Sequence, residues 1–287
     1  MPAPVSPAPD LAPQTMPLVS VVIPTYRDMA LVQRALPRLL ESRGVQLEVV
    51  VVNNDPTQPI GEWVAAQGLD GVSVIEMGHN AGFMGAINRG ICATRGEFLL
   101  FHNADLTVAE TYLQELTAFF AEHPRAGAGS GKILRYDPRR DEATPRLDTA
   151  GITMKRSRGA FDRGEGAIAA GRFDLPEEVF AVSGAALFAR RAALDDVRCR
   201  GQYLDETLFM YKDDIDLGWR LRMRGWECWY VPSAVAQHAR TSRGLGGRDY
   251  RRSPVAYLRN ERRKPRTVRV HSMKNQWILL LKNEQWQ

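Results

Sequence analysis

The apolar positions fall into two alternating rhythms. Val19-Ser20-Val21-Val22-Ile23 is a short β-rich run that stops at Pro24, the pattern of a strand buried on both faces. Val32, Leu36, Leu39 and Leu40 follow at helical spacing, with Pro37 placed to kink that helix. The alternation continues. Leu47 to Val52 predicts a second strand, the stretch around Trp63 a short helix, and Val72 to Met77 a third strand. Phe83, Ala86, Ile87, Gly90 and Ile91 form a helical stripe, Phe98 to Phe101 a fourth strand, and Leu113, Leu116, Phe119 and Phe120 another helix. Strands alternating with helices predict parallel βαβ units and an α/β fold with helices on both faces of the sheet.

Residues 137–178 lose this rhythm and are rich in Arg, Asp and Gly, which predicts a mobile insertion. Phe180 to Phe188 restores an apolar run, interrupted at Ser183-Gly184. Asp213 to Arg224 reads as a helix with Leu217 and Leu221 one turn apart, and Trp229-Tyr230-Val231 as a last strand before Pro232. In a parallel sheet of this kind ligands bind beyond the carboxyl ends of the strands. The segments there are Pro24-Thr25-Tyr26, Asn53-Asn54-Asp55, Gly78-His79-Asn80 and His102-Asn103-Ala104-Asp105, all rich in hydrogen-bonding groups.

Composition narrows the class. The chain has 287 residues, 44% of them apolar and 25% charged, which is globular and long enough for a large core. No apolar stretch reaches the roughly 18–20 residues of a membrane span. Three widely spaced cysteines, Cys92, Cys199 and Cys228, argue against a disulfide framework or a Cys-based zinc site and point to a reducing, intracellular compartment. No secretory leader is expected, since the first residues lack the basic and apolar regions of one. Residues 1–17 hold six of the 17 prolines and read as a flexible lead-in.

Charge is informative by position. The net value is +5, yet residues 240–287 carry 13 Lys/Arg against Asp249, Glu261 and Glu284, so that tail is +10 and the preceding 239 residues are −5. A basic tail on a mildly acidic body suits phosphate-bearing partners, or is a solvated charged face. It lacks the interleaved aromatics of a nucleic-acid-binding motif, so nucleic acid is not the expected partner.

Three groups could do chemistry. Asp105 follows strand four directly, where a carboxylate suits a hard cation such as Mg²⁺ or Mn²⁺ but equally caps a helix starting near Thr107. Asp213, Asp214 and Asp216 crowd one helix start, which is more acid than a cap requires, and crowded carboxyls raise one another's pKa toward that of a general base. His238 lies after an apolar stretch, as a structural imidazole or a metal ligand. Asn80-Ala81-Gly82-Phe83, with Asn88 and Gly90, surrounds a helix start able to receive a diphosphate. Neither a Walker A loop nor a GxGxxG fingerprint is present.

In combination these motifs resemble a family 2 glycosyltransferase of the GT-A fold, from about Leu18 to Ser242. Val19 to Tyr26 is similar to the family's opening strand, and Val50 to Asp55 to the segment that reads the nucleotide base, with Asn53 in place of the usual Asp. The run Asn80-x-Gly82-Phe83-x-x-Ala86-x-Asn88-x-Gly90-Ile91 resembles the rhamnosyltransferase-like branch. Asn103-Ala104-Asp105 stands at the DxD position with its last acid kept, and Tyr211 to Leu217 resembles the segment with the catalytic base.

The resemblance implies a cytoplasmic enzyme, peripheral on the inner face of the membrane, that transfers a sugar with inversion from a nucleoside-diphosphate donor to a glycan or polyprenyl-pyrophosphate-linked glycan. L-rhamnose from dTDP-rhamnose is the sugar implied first. It implies Asp214 as base and Mg²⁺ or Mn²⁺ held by Asp105 and His238. Pro24, Thr25, Tyr26, Asn53, Asn80, Gly82, Phe83, Asn88, Asn103, Ala104, Asp105 and Gly184 fall on the donor side, and Asp213 and Trp219 on the acceptor side. By this reading 18–240 is the catalytic domain and 241–287 a basic amphipathic segment, which docks on an anionic leaflet or packs on the domain. The competing readings are a non-catalytic sugar-nucleotide or glycan-binding module of the same fold, and a sugar nucleotidyltransferase. The latter needs a Gly-rich basic loop after strand one, which Pro24-Thr25-Tyr26 does not supply.

Overall fold

A computed structural model describes residues 16–138, 140, 142–239 and 265–284. Most of the Pro-rich lead-in and the basic stretch 240–264 lie outside these residues. The first half alternates as the pattern predicts: β1 (Leu18–Thr25), α1 (Met29–Leu40), β2 (Gln46–Asn53), α2 (Ile60–Gln67), β3 (Val72–Glu76), α3 (Gly82–Cys92), β4 (Phe98–His102), β5 (Leu106–Val108) and α4 (Tyr112–Glu122). The second half contains β6 (Ala126–Asp137), β7 (Glu142–Thr149), β8 (Ile152–Met154), β9 (Ala160–Asp162), β10 (Glu177–Val179), β11 (Ala186–Arg190), α5 (Arg191–Asp196), α6 (Asp213–Met223), β12 (Glu227–His238) and α7 (Arg266–Asn283).

The main sheet has the order β10-β12-β6-β11-β4-β1-β2-β3, with β5 added on β12 and β7 on β6. Strands β3, β2, β1, β4, β6 and β12 share one direction, while β11 runs against both its neighbours. The sheet is thus mostly parallel, and the carboxyl ends of β1, β2, β4, β6 and β12 meet along one edge. Each central strand feeds two cores. Val19, Val21 and Ile23 of β1 face the layer with Val32, Leu36 and Leu39 of α1, whereas Val22 faces Met84, Ile87 and Ile91 of α3. The near-continuous apolar runs follow from burial on both faces. Each of the large side chains fully buried there contributes about 1.5–3 kcal/mol of transfer free energy.

α1 runs on through Pro37 to Leu40. Three sequence expectations change. The stretch 137–178, expected to be a mobile insertion, is built into the body: β7 pairs with β6, β8 with β9, and Leu147, Ala150, Ile152, Ala167 and Phe173 are buried. The helix expected from Thr107 starts instead at Tyr112, because Leu106–Val108 finds a partner strand in β12. Long-range pairing outweighs local propensity here. β12 continues past Pro232 to His238, with the proline inside a register shift between Val231 and Val235, where a missing N–H does no harm to the ladder.

Candidate active site

The topology brings Asp105 to His238. β5 pairs antiparallel with β12 so that Leu106 stands opposite His238, and the Ala239 N–H donates to the Asp105 carbonyl at 3.0 Å. Asp105 Oδ1 then lies 3.0 Å from His238 Nε2. The other ring nitrogen, Nδ1, lies 2.9 Å from Asp148 Oδ2. Asp148 is 1% exposed, and Arg135, opposite His238 on β6, stands between Asp148 and Glu165. Burial lowers the His238 pKa, but the hydrogen bonds that the ring donates to the two carboxylates, with their charges, outweigh it and lift the ring to about 9. His102, at the end of β4 and buried, is pushed down by burial to about 4.

Among the described residues no group of three or more metal-type side chains forms a closed cage. A hard divalent ion that displaced the Nε2 proton of His238 would find a donor set in that nitrogen and Asp105, since such ions commonly take one or two protein ligands and complete their shell with substrate phosphate and water. Asp148 holds the opposite nitrogen, as an orienting carboxylate does for a ligating histidine. Asp148 is the residue that sequence reading missed. It sits in the arrhythmic stretch, and only the β6–β7 register reveals its partner.

The three acids of α6 separate into three environments. Asp213 is buried, and its carboxyl lies so close to Gly184 that a β-carbon there would stand 2.9 Å from Asp213 Oδ2. Burial first, and Asp214 second, raise its pKa well above the usual value. Asp214 is less enclosed. Its Oδ1 accepts the Ile215 N–H at 2.9 Å, and among the described residues its Oδ2 has a long 3.4 Å contact from the Gly184 N–H. Burial, then the charge of Asp162 on β9, raise its pKa. Asp216 is 1% exposed and plays a structural part, bonded to Arg220 Nε at 2.9 Å, Asn283 Nδ2 at 2.9 Å and Lys282 Nζ at 3.0 Å. Asp213, expected on the acceptor side, is a buried neighbour of Asp214. Trp219, expected with it, packs edge-on to Phe180 at 5.9 Å, with Arg158 5.5 Å from its ring.

The two centres are linked through one loop. The Gly184 N–H meets Asp214, and the next carbonyl, of Ala185, accepts the Asn103 N–H at 3.0 Å, two residues before Asp105. The Asn103-Ala104-Asp105 turn and the aspartate of α6 thus border the same carboxyl edge.

The donor-side expectations divide. Pro24, Thr25 and Tyr26 close β1 at that edge, with Tyr26 41% exposed, and burial lifts the neighbouring Asp28, with a small further rise from Asp105. A small cleft lined by Arg34, Ala104, Asp105 and Tyr136 opens alongside. Asn53, expected to read the base, is 1% exposed, and its amide is engaged within the protein. Nδ2 donates to the Gln58 carbonyl at 2.9 Å and to Glu76 Oε2 at 2.7 Å, while Oδ1 accepts the Asp55 N–H at 3.0 Å. It braces the loop with both amide hydrogens and one lone pair of its oxygen. Asn88 likewise binds the chain at Leu204 through both amide atoms, at 2.8 Å each, and Glu206 at 2.9 Å. The start of α3, expected to receive a diphosphate, is already occupied. Asn80 Oδ1 takes the Gly82 N–H at 2.9 Å and the Phe209 carbonyl takes the Phe83 N–H at 2.9 Å. Gly82, at φ 74°, packs so tightly on Phe209 that a β-carbon would lie 2.6 Å from its ring. Asn53, Asn88 and Gly82 thus brace the edge of the cleft, while Asn80 is exposed with its Oδ1 engaged.

Comparison with known proteins agrees with this geometry. The chain is 30% identical over 243 residues to the N-acetylglucosaminyl-diphospho-decaprenol L-rhamnosyltransferase of Mycobacterium tuberculosis (strain CDC 1551 / Oshkosh), covering 77% of this chain and 76% of that one. It is 27% identical over 142 residues to the uncharacterized glycosyltransferase EpsJ of Bacillus subtilis (strain 168), covering 49% of this chain and 41% of that protein. Among solved structures, GalNAc-T7 with UDP, GalNAc and Mn²⁺ superposes with a TM-score of 0.65 at 15% identity, over 79% of this chain and 44% of that chain. The mannosyltransferase PcManGT from Pyrobaculum calidifontis, in complex with GDP-Man and Mn²⁺, gives 0.56 at 19% identity, over 88% of this chain and 64% of that chain. At such identities these structures speak to the fold, which is that of the GT-A glycosyltransferases. The sequence model described as "Glycosyltransferase like family 2" matches residues 16–265, and on that match, over most of its length, this chain belongs to glycosyltransferase family 2.

Proposed function

We propose that the protein is an inverting glycosyltransferase that moves a sugar from a nucleoside diphosphate to a hydroxyl of a lipid-linked glycan. L-rhamnose from dTDP-L-rhamnose is the donor favoured by the 30%-identical relative. The observation that carries the reading is the shared edge: Asp214, with its raised pKa, is linked through Gly184 and Ala185 to the turn that carries Asp105. Asp214 Oδ2 takes the proton of the acceptor hydroxyl as that oxygen attacks the anomeric carbon from the face opposite the departing diphosphate. Charge then spreads over the ring, as at other anomeric centres.

Asp105 and His238 Nε2 would hold Mg²⁺ or Mn²⁺, which when bound offsets charge on the diphosphate as a Lewis acid. Asp148 keeps the His238 ring turned so that Nε2 faces Asp105. Arg158 and Trp219, brought together by the β8–β9 hairpin and α6, supply a cation and an aromatic face on the acceptor side.

The site works against an anionic membrane surface at the cytoplasmic face. No described helix is long and apolar enough to cross a membrane. α7, however, exposes Val270, Met273, Trp277 and Leu281 by 49–72%, and these spacings put them on one side, opposite buried Leu279. Arg266 adds a cation to that stripe, which suits an interfacial helix. Incubating the protein with a panel of nucleotide sugars, Mg²⁺ or Mn²⁺ and a polyprenyl-pyrophosphate glycan, and measuring nucleoside diphosphate release, tests the reading. Acceptor-dependent release with one donor is expected, and no release with any donor contradicts it.

A further inference from the structure

The segment 205–212, just before the base, is held in an unusual backbone shape. Phe209, Tyr211 and Lys212 all have positive φ, at 62°, 67° and 67°. Residues with a β-carbon rarely adopt this region, and several together persist only where the surroundings hold them. The surroundings here are two helices. On one side α3 contributes the Phe83 N–H to the Phe209 carbonyl. On the other side lies α7, whose sequence position is remote from everything else at the site.

Asn275 is the centre of the α7 contact. It is 0% exposed, and its Nδ2 donates across three carbonyls of the loop: Leu208 at 2.9 Å, Met210 at 2.8 Å and Tyr211 at 2.9 Å. Lys274 Nζ adds a bond to the Thr207 carbonyl at 2.7 Å, and His271 stacks on Phe209 with centroids 5.4 Å apart. One turn or two further on, Lys282 and Asn283 hold Asp216 within α6 itself, and Lys282 also reaches Asp205 at 2.7 Å. The helix therefore holds the loop backbone ahead of Asp214 and the Asp216 carboxylate beyond it. Apolar packing joins in, through Leu279 in a cluster with Ile215 and through Ile278 against the core that holds Leu208 and Leu217, and the polar bonds give the loop its direction.

We propose that Asn275 is a positioning residue for the transfer reaction, setting the backbone shape of 208–212 and through it the direction of the Asp214 carboxylate. This rests on the reading of Asp214 as base. Misplacing a catalytic group by about 1 Å can lower the rate by about 100-fold, whereas donor binding, which draws on the β4 end of the cleft, is untouched.

Two substitutions test it in the full-length protein. Asn275→Ala removes the donors and the side chain, and Asn275→Leu removes the donors while nearly keeping the shape and adding no buried charge. Leu39→Ala, in the core beneath α1 and distant from the loop, serves as a stability control. Expected in the Asn275 variants are a kcat at least tenfold lower, an acid limb of the kcat pH profile that moves, and an affinity for the nucleoside diphosphate with Mn²⁺, measured by calorimetry, within about twofold of wild type. Hydrogen exchange in 207–214 should accelerate in the same variants and not in Leu39→Ala. An unchanged kcat in a folded Asn275 variant overturns the proposal. So does a loss matched by Leu39→Ala at equal melting temperature. If the wild type turns over no donor, the base assignment fails, and the exchange experiment alone still decides whether Asn275 holds the loop.

Discussion

The two sides of the cleft treat polar groups in opposite ways. On the β1–β2–α3 side, the conspicuous amides are engaged by their own chain: Asn53 by Gln58, Glu76 and Asp55, Asn88 by Leu204 and Glu206, Asn80 by Gly82. On the α6–β12 side, acids are held in surroundings that resist their charge. Asp213 and Asp214 have raised pKa values, while His238 nearby is the opposite case, its charge favoured by two carboxylates. A saturated network makes a rigid wall, because an unmade buried hydrogen bond is costly. A strained acid makes a reactive group, because a carboxyl held above its usual pKa is the better proton acceptor. One side gives shape, and the other gives chemistry.

Substitutions on the two sides should then differ in kind. The largest effect is expected for Asp214→Asn: kcat about 10²–10⁴-fold lower with nucleotide affinity kept, read by steady-state kinetics beside calorimetry. Next comes Asp148→Asn, which frees the His238 ring and should weaken Mn²⁺ binding about 10–100-fold; Mn²⁺ paramagnetic resonance measures this directly, and unchanged affinity removes Asp148 from the site. Asn88→Ala belongs to the rigid wall. It leaves the Leu204 backbone unpaired at a cost of about 1–3 kcal/mol, seen as a lower melting temperature with little change in Mn²⁺ binding. The smallest effect should have the opposite sign. The Asp213 pKa is raised in the folded state, so its contribution to stability is full below the unfolded value near 3.8 and is lost as pH rises through the folded value. Asp213→Asn abolishes that loss. Its melting temperature should exceed wild type at pH 7–8, with the gain vanishing near pH 3–4.

Most of the β1-to-α4 order was legible because burial on both sheet faces writes itself as apolar runs, and helical stripes such as Phe83 to Ile91 have a period of their own. What escaped depends on pairing between distant segments. β5 resembles a helix start until β12 lies beside it, and β7 resembles a loop until β6 does. Asp148 and Asn275 were invisible for the same reason, since nothing local marks a residue whose partner is about 65–90 positions away. Asn53, Asn88 and Gly82 were marked by motif, yet a motif does not say whether an amide faces a ligand or the neighbouring loop. The Asp-Asp-x-Asp cluster had the reverse ambiguity: its crowding pointed to chemistry, and only packing showed that Asp216 serves the helix and Asp214 the cleft.

The most direct test of the central claim is the pH dependence of nucleoside diphosphate release, with wild type and Asp214→Asn run side by side on the same donor and acceptor. Turnover that requires ionised Asp214 should rise with pH along an acid limb lying above the usual carboxylate value of 3.8, and the residual activity of the variant should lack that limb. Equal turnover in the two proteins, or the same limb in both, would contradict the assignment of Asp214 as the base.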